Sequence, residues 1–347
     1  MAIDQPPVAL GLTAVVVRVD DDRPQVLVAS RMGHDLATDA QAGRASLDAG
    51  DSLTALPFGP FDPAQHRTME LGLKRWVAEQ TGLSLRYIEQ LYTFGNRDRD
   101  PRELSGGPRV VTTAYLALVR DPPLSGTGAA EWADWYTHFP WEDWRSGCPS
   151  VISTIIQPAL TDWLQRAPDE AAHAKRSRRI AGCFDFDSDS PHAPNLVLER
   201  FELLYEAGLV MESHRDRMIA ARLRHRVSPR PDKAALDRAG QLGLPLALDN
   251  RRMLAAAIGR IRGKLDYRPV VFDLLPPDFT LGQLQRVVES MAGFRLHSSN
   301  FRRMVISAGL VEETGAMDHS GRGRPAKLFR YKKNLMTARV GIGLPAA

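Results

Sequence analysis

A short stretch near the C-terminal end combines the side chains that proteins use to contact duplex DNA. Arginine can form two hydrogen bonds to guanine, asparagine can do the same with adenine, and serine hydroxyls can bond phosphate oxygens. None of these contacts requires a cofactor. If these side chains share an exposed helix face, the sequence predicts that they contact double-stranded DNA. The candidate residues are Ser298, Ser299, Asn300, Arg302 and Arg303.

A basic loop containing glycine follows soon after this stretch. The segment from Gly321 to Lys327 has the sequence GRGRPAK, and its candidate contacts are Arg322, Arg324 and Lys327. A flexible basic loop can follow a phosphate backbone or enter a minor groove. The alternative interpretation is an exposed hairpin that merely tolerates glycine.

The elements around these residues predict a winged helix. The segment Thr280 to Gln283 has a capping-box pattern, so a helix should begin there and end at Gly293. Ser298 or Ser299 can cap a second helix, which Gly309 closes. Two short helices joined by a tight turn form a helix-turn-helix, whose second helix enters the major groove. Strands at 311–314 and 328–331, around a loop at 315–326, would form the wing. The apolar faces of the helices consist of Leu281, Leu284, Val287, Val288 and Met291, and of Phe301, Met304 or Val305, and Leu310.

Basic residues are concentrated at the same end of the chain. Residues 251–333 contain 16 Lys or Arg against 7 Asp or Glu, although the net charge of the whole chain is only +4. Because phosphate neutralisation supplies most non-specific affinity for nucleic acid, this distribution favours a polyanionic partner. On charge alone, a solvated basic surface explains the pattern equally well.

Composition indicates a protein with packed cores and no membrane span. The 347 residues suit two domains, and the 44% apolar share supplies material for their cores. Apolar runs are too short to span a bilayer, and residues 1–7 lack the basic and apolar regions of a signal peptide. Cys148 and Cys183 have no metal-ligand spacing. We therefore expect a cytoplasmic location and no membrane partner.

The first 120 residues predict strands around one helix. Residues 8–19 and 25–30 should form a hairpin, 31–52 a loop, and 87–93 and 109–119 two further strands. A helix at 68–81 should end at Gly82. Four tryptophans at 132, 135, 141 and 144 indicate packing or an interface. Residues 150–243 should be mostly helical, with a charged, mobile middle at 167–194.

Several segments together resemble the Nudix-related transcriptional regulators of NAD metabolism, the NrtR-like family, in a longer branch with an insertion. The resemblance implies an α/β Nudix-like α/β/α sandwich at 1–146, a mostly helical insertion at 147–243 and a last Nudix helix at 244–266. A winged helix-turn-helix domain at 267–335 and a tail at 336–347 would follow. It also implies a homodimer. The matching segments are Leu56 to Phe61 (LPFGPF), Tyr87 to Arg102 (YIEQLYTFGNRDRDPR), Arg109 to Val119 (RVVTTAYLALV), Leu246 to Leu254 (LALDNRRML) and Tyr267 to Tyr331.

The same resemblance implies a degenerate catalytic site. Active Nudix enzymes carry the pattern Arg-Glu-x-x-Glu-Glu-x-Gly, whose carboxylates hold Mg²⁺ against a pyrophosphate. Here the segment Arg75 to Gly82 has the sequence RWVAEQTG, with Trp76 and Gln80 at positions that need carboxylates, and an earlier Glu of the motif aligns with Arg67. We therefore expect no catalytic residue and no required cofactor. Glu79 is then a vestigial metal ligand or an ordinary surface residue.

In the family the effector is ADP-ribose, and its binding alters the DNA affinity of the dimer. Arginine suits a diphosphate and aspartate suits ribose hydroxyls. Phe58 replaces a glycine of the family pattern and Pro60 stiffens the same turn, so both narrow the expected cleft. The alternative is a network of Arg and Asp that only shapes a loop or the dimer interface. The candidate ligand contacts are Phe58, Gly59, Arg97, Asp98, Arg99, Asp100, Arg102 and Arg109.

Three hypotheses of function follow from these residues. The leading one is a dimeric DNA-binding transcriptional regulator whose Nudix-like domain senses a nucleotide-like effector. The second is a residual pyrophosphatase that uses Glu79 with another carboxylate such as Glu70. The third is a scaffold whose long insertion binds another protein.

Overall fold

The computed structural model describes residues 8–20, 22–30, 54–96, 103, 106–120, 123–126, 129–223, 232–265, 270–319 and 325–332. The predicted loop at 31–52 therefore lies outside the described residues. None of the helices in the described ranges has the length and apolar content needed to cross a membrane.

A mixed sheet forms the centre of the N-terminal half. Its order is β3-β2-β1-β6-β5, with β4 paired to β1 and β7 paired to β2. β1 and β2 form the predicted antiparallel hairpin, whereas β1 runs parallel to β6. The strands are β1 (Val8–Asp20), β2 (Arg23–Ser30), β3 (Thr54–Ala55), β4 (Phe58–Pro60), β5 (Tyr87–Phe94), β6 (Arg109–Leu118) and β7 (Ala130–Asp134).

Strand β1 carries apolar side chains on both faces, and both faces of the sheet are covered by other elements. Successive side chains of a strand point to opposite faces. Leu12, Ala14 and Val16 pack in one cluster with helix α1 (Met69–Thr81), whereas Val15 and Val17 pack in the larger cluster on the other face. Helix α1 begins at the Thr68 cap and ends at Gly82, whose φ is +75°. The sheet with its two covering layers confirms the α/β/α sandwich.

The segment after β7 folds into short helical elements. Short 3-10 helices at Trp135–Thr137 and Pro140–Glu142 bury Trp135 and Trp141. Helices follow at Ile152–Ile156 (a π turn), α2 (Gln157–Gln165), α3 (Glu170–Cys183), α4 (Val197–Glu206), α5 (Met211–Leu223), α6 (Lys233–Gln241) and α7 (Asn250–Leu265).

Helix α3 occupies half of the segment that was expected to be mobile. Asp169 caps the helix by accepting a hydrogen bond from the Ala172 N–H at 2.7 Å. Arg176 lies over the Trp163 ring at 4.3 Å and donates to the Trp163 carbonyl. The charge-rich composition did not predict this order because two of its cationic side chains, Arg176 and Arg179, contact neighbouring helices.

Residues 270–331 form a winged helix, as predicted. A 3-10 helix (Val270–Leu274) leads to β8 (Asp278–Phe279), α8 (Leu281–Ala292), α9 (Ser298–Ser307), β9 (Val311–Asp318) and β10 (Ala326–Tyr331). Thr280 and Gln283 form both hydrogen bonds of the capping box, at 2.7 and 3.1 Å. Strand β10 pairs with β8 and β9.

Two details of this domain differ from the sequence prediction. The cap position of α9 is His297 and no side chain caps it, because Ser298 already belongs to the helix and accepts a hydrogen bond from Gln285. Strand β9 extends to Asp318 and β10 begins at Ala326, so five residues of the predicted loop at 315–326 belong to the hairpin. Gly315 has a φ of +79° but does not end the strand.

Residues outside the winged helix supply hydrogen-bond donors to the C-terminal end of α8. The last carbonyls of a helix lack partners within the helix. A Cβ on Gly293, where φ is +86°, would overlap Arg262 and the Glu142 carbonyl, so the two halves approach closely there. This joint therefore fixes the position of the helix-turn-helix against the sheet domain. Its bonds run from Tyr136 Oη to Ser290 O (2.8 Å), from Arg262 Nε to Met291 O (3.2 Å) and from Trp144 N to Gly293 O (2.6 Å).

Glu142 is the buried anion of this joint. Its carboxylate accepts hydrogen bonds from Arg200 on α4, at 2.6 and 2.9 Å, and from Arg262 on α7. Burial would raise the pKa of Glu142, but the two guanidinium groups outweigh burial and hold the pKa below its usual 4.5. The ion pairs therefore persist at neutral pH and are lost only on acidification below that value.

Removal of this anion should destabilise the protein strongly. We expect Glu142→Gln to lower the free energy of unfolding by about 3 to 5 kcal/mol, because it leaves two buried arginines without their counter-ion. The measurement is urea unfolding followed by circular dichroism. Glu70→Gln, which breaks the exposed pair with Lys74, is the control and should change stability by less than about 1 kcal/mol. Equal effects of the two variants would contradict the assigned role of Glu142.

Candidate functional site

The exposed face of α9 carries the predicted DNA-contacting residues. Phe301 and Val305 are buried against the domain, which turns the intervening positions outward. Asn300 accepts a hydrogen bond from Arg303 at 3.3 Å, and both side chains remain exposed. The structure thus brings the whole set onto one accessible helix: Ser298, Ser299, Asn300, Arg302 and Arg303.

The turn before α9 is braced by two polar residues that sequence reasoning missed. Glu289 accepts hydrogen bonds from the Leu296 N–H at 2.9 Å and from Arg295 at 2.7 Å. Gln285 donates to Glu289, to the Leu296 carbonyl and to Ser298. Burial would raise the pKa of Glu289, but the bond from Arg295 and the other donors outweigh it and lower the pKa. The sequence feature that could have indicated this brace is the spacing of Gln285 and Glu289, two polar residues four positions apart on a helix with an apolar face.

The wing presents one of its three predicted contacts within the described residues. Lys327 lies on β10 and donates to both carboxylate oxygens of Glu313 at 2.9 Å. The pair is exposed, so water screens it and a phosphate can compete for the ammonium group. Arg322 and Arg324 lie outside the described residues.

In the sheet domain, Trp76 and Gln80 of helix α1 hold strand β4. Trp76 Nε1 donates to the Pro60 carbonyl at 2.9 Å, and Gln80 Nε2 donates to the Phe58 carbonyl at 2.6 Å. An indole N–H is a donor only, and neither side chain carries an anionic oxygen. Both side chains therefore act as donors to the backbone of β4.

The turn that was expected to contact a ligand is covered by the same tryptophan. Gly59 is buried, and a Cβ added to it would overlap the indole of Trp76. Phe58 is half-buried beside it. The Gly59 face of the strand is therefore closed by packing, and glycine is needed there for the close approach of the ring.

Arg109 lies at the base of the loop that was predicted to bind the effector. At the start of β6, it donates to the Gly95 carbonyl at 2.7 Å, at the end of β5. This bond joins the two strands where the loop leaves the sheet. The other predicted contacts in this loop, Arg97, Asp98, Arg99, Asp100 and Arg102, lie outside the described residues.

The remaining carboxylates of the Nudix-like helix form surface ion pairs. Glu79 accepts a hydrogen bond from Arg75 at 2.8 Å, and Glu70 lies 2.7 Å from Lys74. The carboxylates thus point to different cationic neighbours one turn away along the helix. Among the described residues, no group of three or more His, Cys, Asp or Glu side chains could hold a metal ion.

The fold and these sites define a Nudix-type α/β/α domain joined to a winged helix. Residues 271–331 match the family model of the NrtR DNA-binding winged helix domain. The chain is 40% identical over 90 residues to the ADPR responsive transcriptional repressor NtrR of Acinetobacter baylyi. That alignment covers 26% of this chain and 36% of the relative.

Solved structures show the same two-part fold over nearly the whole chain. The NrtR of Shewanella oneidensis complexed with a 27mer DNA is 22% identical, with a TM-score of 0.51, and covers 95% of this chain and 96% of its own. A MutT/nudix family protein from Enterococcus faecalis is 18% identical, with a TM-score of 0.50, and covers 96% and 89%. The resemblance inferred from the sequence is thus confirmed at the level of the fold and the winged helix.

A methyl group at Gly59 tests the packing of Trp76. We expect Gly59→Ala to destabilise the protein by about 1 to 3 kcal/mol, because the added carbon displaces the indole from a packed site. Gly240→Ala, at a helical glycine with open space around it, should be neutral or slightly stabilising. Thermal unfolding measures both changes.

The same substitution in a chain that carries Trp76→Leu distinguishes the overlap with the indole from other effects of Gly59→Ala. In Trp76→Leu the ring is absent, so Gly59→Ala should cost less than in the parent chain. An equal cost in both backgrounds would show that the indole is not the obstacle.

Proposed function

We propose that this protein is a dimeric transcriptional regulator that binds operator DNA through α9 and the wing. The observation that carries the proposal is the exposed face of α9, which bears Arg302 and Arg303 within a domain of the NrtR DNA-binding type. Arginine and asparagine read base edges in the major groove, and serine bonds phosphates. A dimer would place two such helices on half-sites one helical turn apart.

We also propose that the Nudix-type domain senses a nucleotide diphosphate and does not hydrolyse it. The relative from Acinetobacter baylyi is described as ADPR responsive, which makes ADP-ribose the effector to test first. The replacement of metal acceptors by Trp76 and Gln80 supports binding without cleavage. The candidate contacts are Phe58, the loop from Arg97 to Arg102, and Arg109, whereas Gly59 is covered by the indole of Trp76.

Substitution on α9 tests the DNA interface. We expect Arg302→Ala or Arg303→Ala to weaken binding to the upstream region of the protein's own gene by about 1 to 3 kcal/mol, with loss of sequence preference. Fluorescence anisotropy with a labelled duplex at fixed salt measures the affinity. Arg178→Ala removes the same charge from exposed α3 and should bind like the parent. If the α9 variants also bind like the parent, the interface is misassigned.

Titration with ADP-ribose tests the sensor. We expect ADP-ribose to change the affinity for the same duplex, and Arg97→Ala or Arg109→Ala to weaken ADP-ribose binding about tenfold or more, since each removes a charge-assisted hydrogen bond. Calorimetry measures the binding. Arg86→Ala, on the exposed segment before β5, is the charge-matched control.

A product assay in the presence of Mg²⁺ tests the absence of cleavage. Incubation of ADP-ribose with the parent chain should release no AMP above the protein-free rate. Turnover that disappears in Glu79→Gln would instead establish a residual pyrophosphatase. If ADP-ribose does not change the affinity for DNA, ADP-ribose is not the effector. That result would not contradict the proposed DNA interface.

A further inference from the structure

One large apolar side chain on α9 is exposed beside the polar DNA-contacting residues. Ile306 is 55% exposed, although the apolar face of the same helix is buried. It therefore contributes little to the core of the winged helix. Such a side chain loses water contact only when another surface covers it.

Ile306 continues the stripe of candidate contacts along the helix. Ser299, Arg303 and Ile306 are spaced at i, i+4 and i+7, which places them along one side of an α-helix. All three are exposed, whereas Val305 beside Ile306 is fully buried. A helix that lies in the major groove with Arg303 near the bases brings Ile306 along the same groove, one turn further on.

The major groove contains one apolar group that could cover this side chain. The 5-methyl group of thymine projects into that groove, and apolar side chains recognise it by contact. A hydrogen-bonding residue gains nothing from that methyl group, whereas a branched aliphatic chain gains from the removal of both surfaces from water. We propose that Ile306 reads a thymine methyl group in each half-site, next to the base pair that Arg302 or Arg303 contacts. This inference rests on the proposed DNA-binding function and adds a specificity-determining residue to it.

The experiment removes single methyl groups from the DNA. A duplex is selected from a randomised library with the parent protein, and each thymine is then replaced in turn by deoxyuridine, which lacks only the 5-methyl group. For the parent we expect about fourfold weaker binding at one position per half-site, the loss that corresponds to one buried methyl group. In Ile306→Ala the same replacement should have no effect, while the other positions behave as in the parent.

Two controls separate this inference from the proposed function. Leu244→Ala shortens another exposed aliphatic side chain, which is 58% exposed and lies outside the winged helix, and should retain the full response to deoxyuridine. Circular dichroism should show that Ile306→Ala is folded. If the parent responds identically to Ile306→Ala at every thymine, or responds at none, the inference is wrong and the DNA-binding function stands. If the parent selects no duplex, the proposed function itself fails.

Discussion

The arrangement of the sheet domain and the winged helix depends on the ion pairs of the buried Glu142 carboxylate. Glu142 belongs to the segment that follows the sheet, and its partners are Arg200 on α4 and Arg262 on α7. Arg262 also donates to the last turn of α8, where a cation favours the negative end of the helix dipole. A buried charge is tolerated only with partners that compensate its desolvation. The same carboxylate therefore fixes the guanidinium that caps helix α8 of the winged helix.

Local patterns predicted most of the elements but not the contacts between them. The capping box at Thr280 and Gln283 was visible because both partners lie within one turn. The partners of Glu142 lie 58 and 120 residues away, and nothing in the spacing of the chain connects them. The prediction that Ser298 or Ser299 caps α9 was wrong for a related reason. Serine is typical of cap positions, but Ser298 lies within the helix and accepts a hydrogen bond from Gln285. The predicted contacts on α9 needed only helical periodicity, so the structure places all five on one exposed helix.

Two side chains of helix α1 hold strand β4 in the Nudix-type domain. Trp76 and Gln80 donate to the carbonyls of Pro60 and Phe58. Gly59 must lack a side chain because the indole that bonds Pro60 lies against it. The sequence alone predicted that carboxylates are missing at these two positions, whereas the contacts that Trp76 and Gln80 make there required the structure.

The same buried networks limit which experiments can reveal a role for residues 147–243, the predicted insertion. Helix α4 supplies Arg200 to the Glu142 site, and α5 supplies Glu212, whose carboxylate bonds the fully buried Arg251 of α7 at 3.1 Å. Deletion of residues 147–243 would remove both partners at once, which leaves Arg251 in the core without its counter-ion and Glu142 with Arg262 alone. Loss of DNA binding after such a deletion would therefore report on folding before it reported on any protein partner. Substitutions on the exposed surface of α3, which leave these pairs intact, separate a scaffold role from a structural one.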